Sequence, residues 1–87
     1  MSTVAVTLIS KPECHLCDAA RAVVTTVVDE LAGRASVTVT ELSLFDDPTL
    51  LANYEEEVPV VLIDGRVHNI WRVEPERLRA ALLEAAQ

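Results

Sequence analysis

Ser10-Lys11-Pro12-Glu13-Cys14-His15-Leu16-Cys17 decides the fold, because it separates two hydrophobic periods. Before it, Val4 to Ile9 alternates Val4, Val6 and Leu8 with Ala5, Thr7 and Ile9, and both sets are largely apolar. Such a run predicts a strand covered on both faces, as at the centre of a sheet. After it, from Cys14, the period is helical: Leu16, Ala20, Val23, Val27 and Leu31 recur at steps of three or four, widened by Ala19, Val24 and Val28. Asp18, Arg21, Thr25 and Asp29 fall opposite this stripe, as on the wet face of an amphipathic helix. The Val and Thr residues between 23 and 28 have modest helix propensity, so packing must hold this helix. Gly33 is expected to stop it.

Working outward, Val37 to Leu42 alternates again, with Val37 and Val39 against Thr38 and Thr40. A strand, a helix and a second strand at this spacing predict a parallel pair with a right-handed crossover. Asp46-Asp47-Pro48 reads as a helix start, Asp at the cap and Pro in the first turn, for a short helix ending near Tyr54. Val58 to Ile63 is an apolar run containing Pro59, and Val67 to Val73 follows Asp64-Gly65. Asp-Gly between two strand-prone runs is a strong hairpin signal. Glu74-Pro75-Glu76 opens a last helix with Leu78, Ala81, Leu82 and Ala85 on one side. The order is βαβα followed by ββα, with no repeat or linker, so residues 1–87 read as one domain.

Composition narrows the function. A chain of 87 residues buries only about 60–65% of the surface it exposes when unfolded. Its aromatics are Phe45, Tyr54 and Trp71 alone, so aliphatic side chains must build the core; Trp71 is expected to pack on the sheet. The net charge of −7 argues against nucleic acid, whose phosphates demand a basic footprint, and against an anionic membrane surface. Two cysteines are too few for a disulfide-stapled secreted miniprotein. Met1 to Ile9 has no basic leader and no stretch is long enough to span a membrane, so a cytoplasmic protein is expected.

Cys14-His15-Leu16-Cys17 places a C-x-x-C where strand gives way to helix, which in such a setting is a redox motif. Cys14 lies at the helix start, where unpaired amides and the helix dipole favour an anion. The thiolate is the nucleophile of thiol–disulfide exchange, so this placement activates it. Cys17 sits one turn further in, more buried and within reach of Cys14. The expected roles are therefore attack by Cys14 and resolution by Cys17. His15, when protonated, can help hold the thiolate. Metal binding would need about four ligands, and beyond the two cysteines only His15 and His68 are on offer. No metal is expected.

The chain resembles thioredoxin-fold proteins of the glutaredoxin-like group over essentially all its length. The likeness rests on the order of elements, on Ser10-Lys11-Pro12-x-Cys14-x-x-Cys17 after the first strand, and on Val58-Pro59 opening the third. It implies an α/β fold with a four-stranded mixed sheet, order 2-1-3-4, flanked by three helices. It further implies that Pro59 is cis and faces the dithiol, that the backbone of Val58 pairs with substrate, and that Lys11 helps hold the Cys14 thiolate; His15, between the cysteines, is a further candidate for substrate contact. Two features depart from the group. No Gly-Gly pair follows the hairpin, where the stretch reads Val67-His68-Asn69-Ile70-Trp71-Arg72-Val73, and Glu55-Glu56-Glu57 stands before Val58-Pro59. Both weaken the grip on anionic glutathione. The expectation is a monomeric dithiol–disulfide oxidoreductase without a cofactor, glutathione being possible but disfavoured. Its partners would be a protein disulfide substrate and a reductase or thiol donor. The alternatives are a glutathione-dependent monothiol reaction at Cys14, or a metal or iron–sulfur module using the same cysteines.

Overall fold

The computed structural model describes residues 3–87, so the reading of Met1 and Ser2 as part of a start without a basic leader lies outside them. Val4–Ser10 forms β1, His15–Glu30 α1, Val37–Ser43 β2, Pro48–Tyr54 α2, Val60–Ile63 β3, Arg66–Ile70 β4 and Pro75–Ala85 α3. The sheet order is β2-β1-β3-β4. β1 runs parallel to β2, from Val4 opposite Val37 to Ser10 opposite Ser43. It runs antiparallel to β3, from Val6 opposite Ile63 to Ile9 opposite Val60. This is the mixed sheet with three helices that the resemblance implies, and β2 and β4 are its edges.

Alternation puts Val4, Val6 and Leu8 on one face of β1, where Val61 of β3 joins them against Ala20, Val24, Val27 and Leu31 and against Leu78 and Leu82 of α3. None of these side chains is more than 2% exposed. Burying a Val or Leu is worth about 1.5–3 kcal/mol, so this contact holds an α1 of indifferent propensity. Arg79 of α3 adds an ion pair to Glu30 of α1, Nη2 to Oε2 at 2.7 Å. The opposite face is covered only at one end. There Ile9 and Val60 meet Leu44 and Val58, with Leu50, Leu51 and Tyr54 beside them. Because α2 has seven residues, Ala5 is left exposed and Thr7 half-buried. The expectation that β1 is covered on both faces therefore holds only for its C-terminal half.

Local chemistry sets the boundaries. Asp47 caps α2 by accepting from the Thr49 amide at 2.7 Å, and Pro48 opens the helix as expected. α1 ends before Gly33, which has a φ of 88° and lets the amides of Arg34 and Ala35 both reach the Leu31 carbonyl. A 3-10 turn over Leu44–Asp46 has no counterpart in the sequence reading. Ser43 and Asp46 close it reciprocally: the Ser43 hydroxyl accepts from the Phe45 amide, and the Asp46 carboxylate accepts from the Ser43 amide. β3 begins at Val60, two residues later than read, and β4 ends at Ile70 instead of Val73. Pairing shifts between Val61, opposite Asn69, and Leu62, opposite Val67, so His68 is an extra residue bulged out of β4.

Asp64 and Gly65 turn the hairpin with φ values of 50° and 83°, the positive pair that a type I′ turn demands. Asp64 also pins the turn to β1. Its amide donates to the Ala5 carbonyl at 2.8 Å, and its carboxylate accepts from the Ala5 amide at 2.9 Å. A Cβ at Gly65 meets nothing within 4 Å, so Gly65→Ala tests backbone conformation alone. We expect it to lower stability by about 1–2 kcal/mol in urea unfolding, with an unchanged m-value. An unchanged midpoint would show that the turn does not hold the hairpin register.

Candidate redox site

Ser10 ends β1, and Lys11 to Glu13 carry the chain into α1 through a tight reversal in which Glu13 takes a φ of 56°. Non-glycine residues at positive φ are uncommon, and they concentrate at sites where the surroundings over-determine the backbone. The reversal leaves Cys14 extended at the N-cap of α1, φ −122° and ψ 109°. Its Sγ accepts from the Cys17 amide at 3.1 Å, so a sulfur does what a Ser or Asp oxygen ordinarily does at a helix start. The two sulfurs form a disulfide, with Cα atoms 5.2 Å apart. Cys17 is wholly buried and Cys14 half-buried. Both pack in the cluster of Ile9, Leu44, Val58 and Val60.

Val58 is 7% exposed, and the Val58–Pro59 peptide bond is cis. Among the described residues, no backbone hydrogen bond is made by the amide or carbonyl of Val58. The Pro59 carbonyl accepts from the Trp71 amide at 2.8 Å. The structure thus brings Cys14, Cys17 and Val58 into one cluster, with Pro59 next to it. Lys11 and His15 stand apart: both are exposed, and neither makes a hydrogen bond or ion pair among the described residues. His68 lies against α3 in a hollow with Ala81 and Glu84. Burial, and then the charge of Arg77, hold its imidazole below the ordinary histidine pKa. Among the described residues, no three His, Cys, Asp or Glu side chains are grouped to hold a metal ion.

Beneath the reversal lies a polar tie that the sequence did not announce. The buried Ser10 hydroxyl donates to Glu41 Oε2 at 2.7 Å. Arg21 donates to both Glu41 oxygens, at 2.7 and 2.6 Å, and to Asp18 at 2.8 Å. The sequence placed Arg21 and Asp18 on the wet face of α1, which is correct. Only the parallel register, which sets Glu41 opposite Leu8, shows that Arg21 reaches across to β2. The tie joins β1, β2 and α1 at the end of the sheet that carries the cysteines.

Trp71 is the clearest departure from expectation. It does not pack on the sheet but leaves β4 at a φ of 66°, and it is 53% exposed. Its indole Nε1 donates to the Glu56 carbonyl at 3.2 Å. Behind it, the Asn69 side-chain amide donates to the Arg72 carbonyl, fixing the path into α3. Leu16, between the cysteines and read as part of the buried stripe, is 46% exposed. Leu16 and Trp71 line a common cleft of about 260 Å³ with Ala19, Val23 and Val73. A larger hollow of about 450 Å³ lies at the far end of α1, around Asp29, Arg34 and Val37. Its lining carries no cysteine.

The family model of the Glutaredoxin-like domain (DUF836) matches residues 5–83. An uncharacterized protein of Mycobacterium tuberculosis and one of Mycobacterium bovis are each 32% identical over 88 residues, spanning 92% of this chain and 84% of theirs. Among solved structures, target protein XcR50 from X. campestris is similar at 32% identity and a TM-score of 0.70, over 94% of this chain and 99% of that one. A mutant thioredoxin from Halobacterium salinarum superposes with a TM-score of 0.64 at 17% identity, over 97% of this chain and 75% of that one, a likeness of fold alone.

The Glu41 tie has a pH signature. Hydrogen bonds from Arg21, helped by Ser10, hold the Glu41 carboxyl below the ordinary glutamate range against the opposing effect of burial. A group with a lowered folded pKa adds stability above its unfolded pKa, and loses it as pH falls through the folded value. Arg21 and Glu41 side chains are 43% and 35% exposed, so solvent screening limits the pair to about 1 kcal/mol or less. Glu41→Gln should therefore be slightly less stable than the parent at pH 7. The two should converge as the pH of urea titrations is lowered below the ordinary glutamate range. A constant gap at every pH would show that the carboxylate charge is not what the tie uses.

Proposed function

Since the chain belongs to the glutaredoxin-like domain family, we propose that it is a dithiol–disulfide oxidoreductase acting on protein disulfides through Cys14 and Cys17. The observation that carries this reading is the asymmetry of the pair. Cys14, half-buried, caps a helix N-terminus, and Cys17 is wholly buried one turn behind it. In the reduced protein, the Cys17 amide and the helix dipole stabilise a Cys14 thiolate. That thiolate attacks one sulfur of the substrate disulfide. A Cys14–substrate bond forms, the substrate S–S bond breaks, and the departing thiolate takes a proton from water. The Cys17 thiolate then attacks Cys14 Sγ, closing the intramolecular disulfide and releasing the second substrate thiolate. The electron pair has moved from the protein dithiol to the substrate. A dithiol donor returns it by the same exchange in reverse.

In this reading, Val58 offers its backbone amide and carbonyl to an extended substrate segment, and Pro59 forms the wall beside the dithiol. His15 sits at the exposed rim, where substrate passes. Lys11 acts at longer range, as a positive charge near the thiolate, so its contribution is small and screened by salt. No cofactor is needed. Glutathione is a poor donor here, because three carboxylates, Glu55, Glu56 and Glu57, repel an anionic tripeptide and outnumber the positive charges of Lys11 and Arg72 near the site.

Two experiments test the proposal. Cys14→Ser should abolish insulin reduction, whereas Cys17→Ser should accumulate mixed disulfides with substrate, visible by mass spectrometry. Faster alkylation at pH 7 of Cys17 in a Cys14→Ala protein than of Cys14 in a Cys17→Ala protein would reverse the roles. For the donor, reduction of the Cys14–Cys17 disulfide by glutathione should be slow, and should speed up with added salt as screening relieves like-charge repulsion. Changing Glu55, Glu56 and Glu57 together to Gln should raise that rate several-fold at low salt. Rapid glutathione turnover, indifferent to salt and to the triple substitution, would promote the glutathione-dependent monothiol alternative.

A further inference from the structure

The cleft between Leu16 and Trp71 begins at the dithiol loop itself, since Leu16 lies between Cys14 and Cys17. Its walls are apolar: Leu16, Ala19 and Val23 from α1, with Trp71 and Val73 from the chain after β4. A half-exposed indole held at positive φ by two hydrogen bonds is an expensive way to fill space, yet it leaves an apolar hollow open to water. The indole also joins two parts of the site. Its Nε1 touches the Glu56 carbonyl, and its backbone amide touches the Pro59 carbonyl. An extended segment lying along Val58 and Pro59 therefore passes close to both the cleft and the Glu55–Glu57 run, which the indole of Trp71 joins. Arg72 also lines the cleft, one positive charge against three carboxylates.

We propose that Trp71 is a specificity-determining residue whose cleft takes an apolar side chain next to the substrate cysteine, while Glu55–Glu57 attract a basic residue of the same segment. The partner this fits is a protein presenting its disulfide cysteine in an extended segment that is both apolar and cationic. The inference rests on the oxidoreductase reading and names the substrate class of that site. The covalent step is unchanged: the Cys14 thiolate attacks the partner's cysteine sulfur and the disulfide's other thiolate leaves.

The test uses four peptides, each with one cysteine capped as a disulfide by 5-thio-2-nitrobenzoate. The cysteine is flanked by Leu and Lys, Leu and Glu, Ser and Lys, or Ser and Glu. Cys14 attacks the peptide sulfur and the coloured thiolate leaves with the electron pair. The Leu/Lys peptide should react about tenfold faster in kcat/KM than the Ser/Lys peptide, the effect of burying one apolar side chain. It should outpace Leu/Glu about threefold at low salt, a margin that closes as salt is added. Trp71→Gly suits the local φ, and retained circular dichroism will establish its fold. It should reduce the Leu-over-Ser preference to less than twofold, a ratio taken within the variant so that any general change in rate cancels.

Trp71 is the sole tryptophan, so its emission reports the cleft directly. In the Cys17→Ser protein trapped as a mixed disulfide, the Leu peptides should shift it to the blue and the Ser peptides should not. A Leu-over-Ser preference that survives Trp71→Gly overturns the inference, as does glutathione disulfide reacting as fast as the Leu/Lys peptide. A dimer that Trp71→Gly dissociates would overturn it in favour of a second copy as the occupant. If the parent fails even on 2-hydroxyethyl disulfide, the oxidoreductase reading falls and takes this inference with it. Failure confined to the peptide preferences sinks the inference alone.

Discussion

The first turn of a helix leaves four amides without backbone partners, and in α1 the Cys17 amide is satisfied by the sulfur of Cys14. Much of the site follows from that one contact. To accept the bond, Cys14 must stay extended at the N-cap, which places Cys17 inside the helix and behind it. Glu13 must then bend through the left-handed region to bring the chain from β1 to that position. Ser10, Glu41 and Arg21 lash the base of the bend to β2 and α1. The sulfur that caps the helix is also the one nearest solvent. In the proposed mechanism, structure and reactivity use the same atom: whatever steadies the helix start steadies an anion on Cys14.

The sequence disclosed those parts of the molecule in which side-chain period and turn chemistry act locally. β1, α1 and their junction were legible because the period changes at Ser10–Cys14. Asp47-Pro48 and Asp64-Gly65 were legible because cap and turn geometry admit few residue types. β4 was misread for a definite reason. With His68 bulged out, Val67 and Ile70 pair with Leu62 and Val60 on one face although they are three residues apart. No alternation survives to be read. The missing Gly-Gly pair is plain in the sequence, but nothing in one sequence says that a tryptophan will adopt a backbone conformation that glycine favours. The link from Arg21 to Glu41 was equally hidden, since it depends on the register of two strands separated by a helix.

Charge and shape divide the labour around the cysteines. The apolar cluster of Ile9, Leu44, Val58 and Val60 buries Cys17 and excludes water from its sulfur. The acidic run and the Trp71 cleft lie outside that cluster, on the turn before β3 and on the chain leaving β4. The cysteines are thus held by the buried cluster, and the acidic run and the indole lie at its periphery. Under the proposed function, substitutions at that rim change what is admitted without loosening the dithiol.

The two edges of the sheet differ in how they meet other molecules. β4 is short, bulged and led by Arg66, all of which discourage a further strand from adding to it. β2 is seven residues of regular ladder, Val37–Ser43, with Val39 47% exposed. An open, flat edge of valine and threonine is a template for intermolecular pairing, and no bulge or proline interrupts it. What opposes such pairing is the net charge of −7, which keeps copies apart by mutual repulsion. The colloidal behaviour of the chain is therefore governed by its carboxylates, and acidification removes the charge that keeps that edge from its own kind.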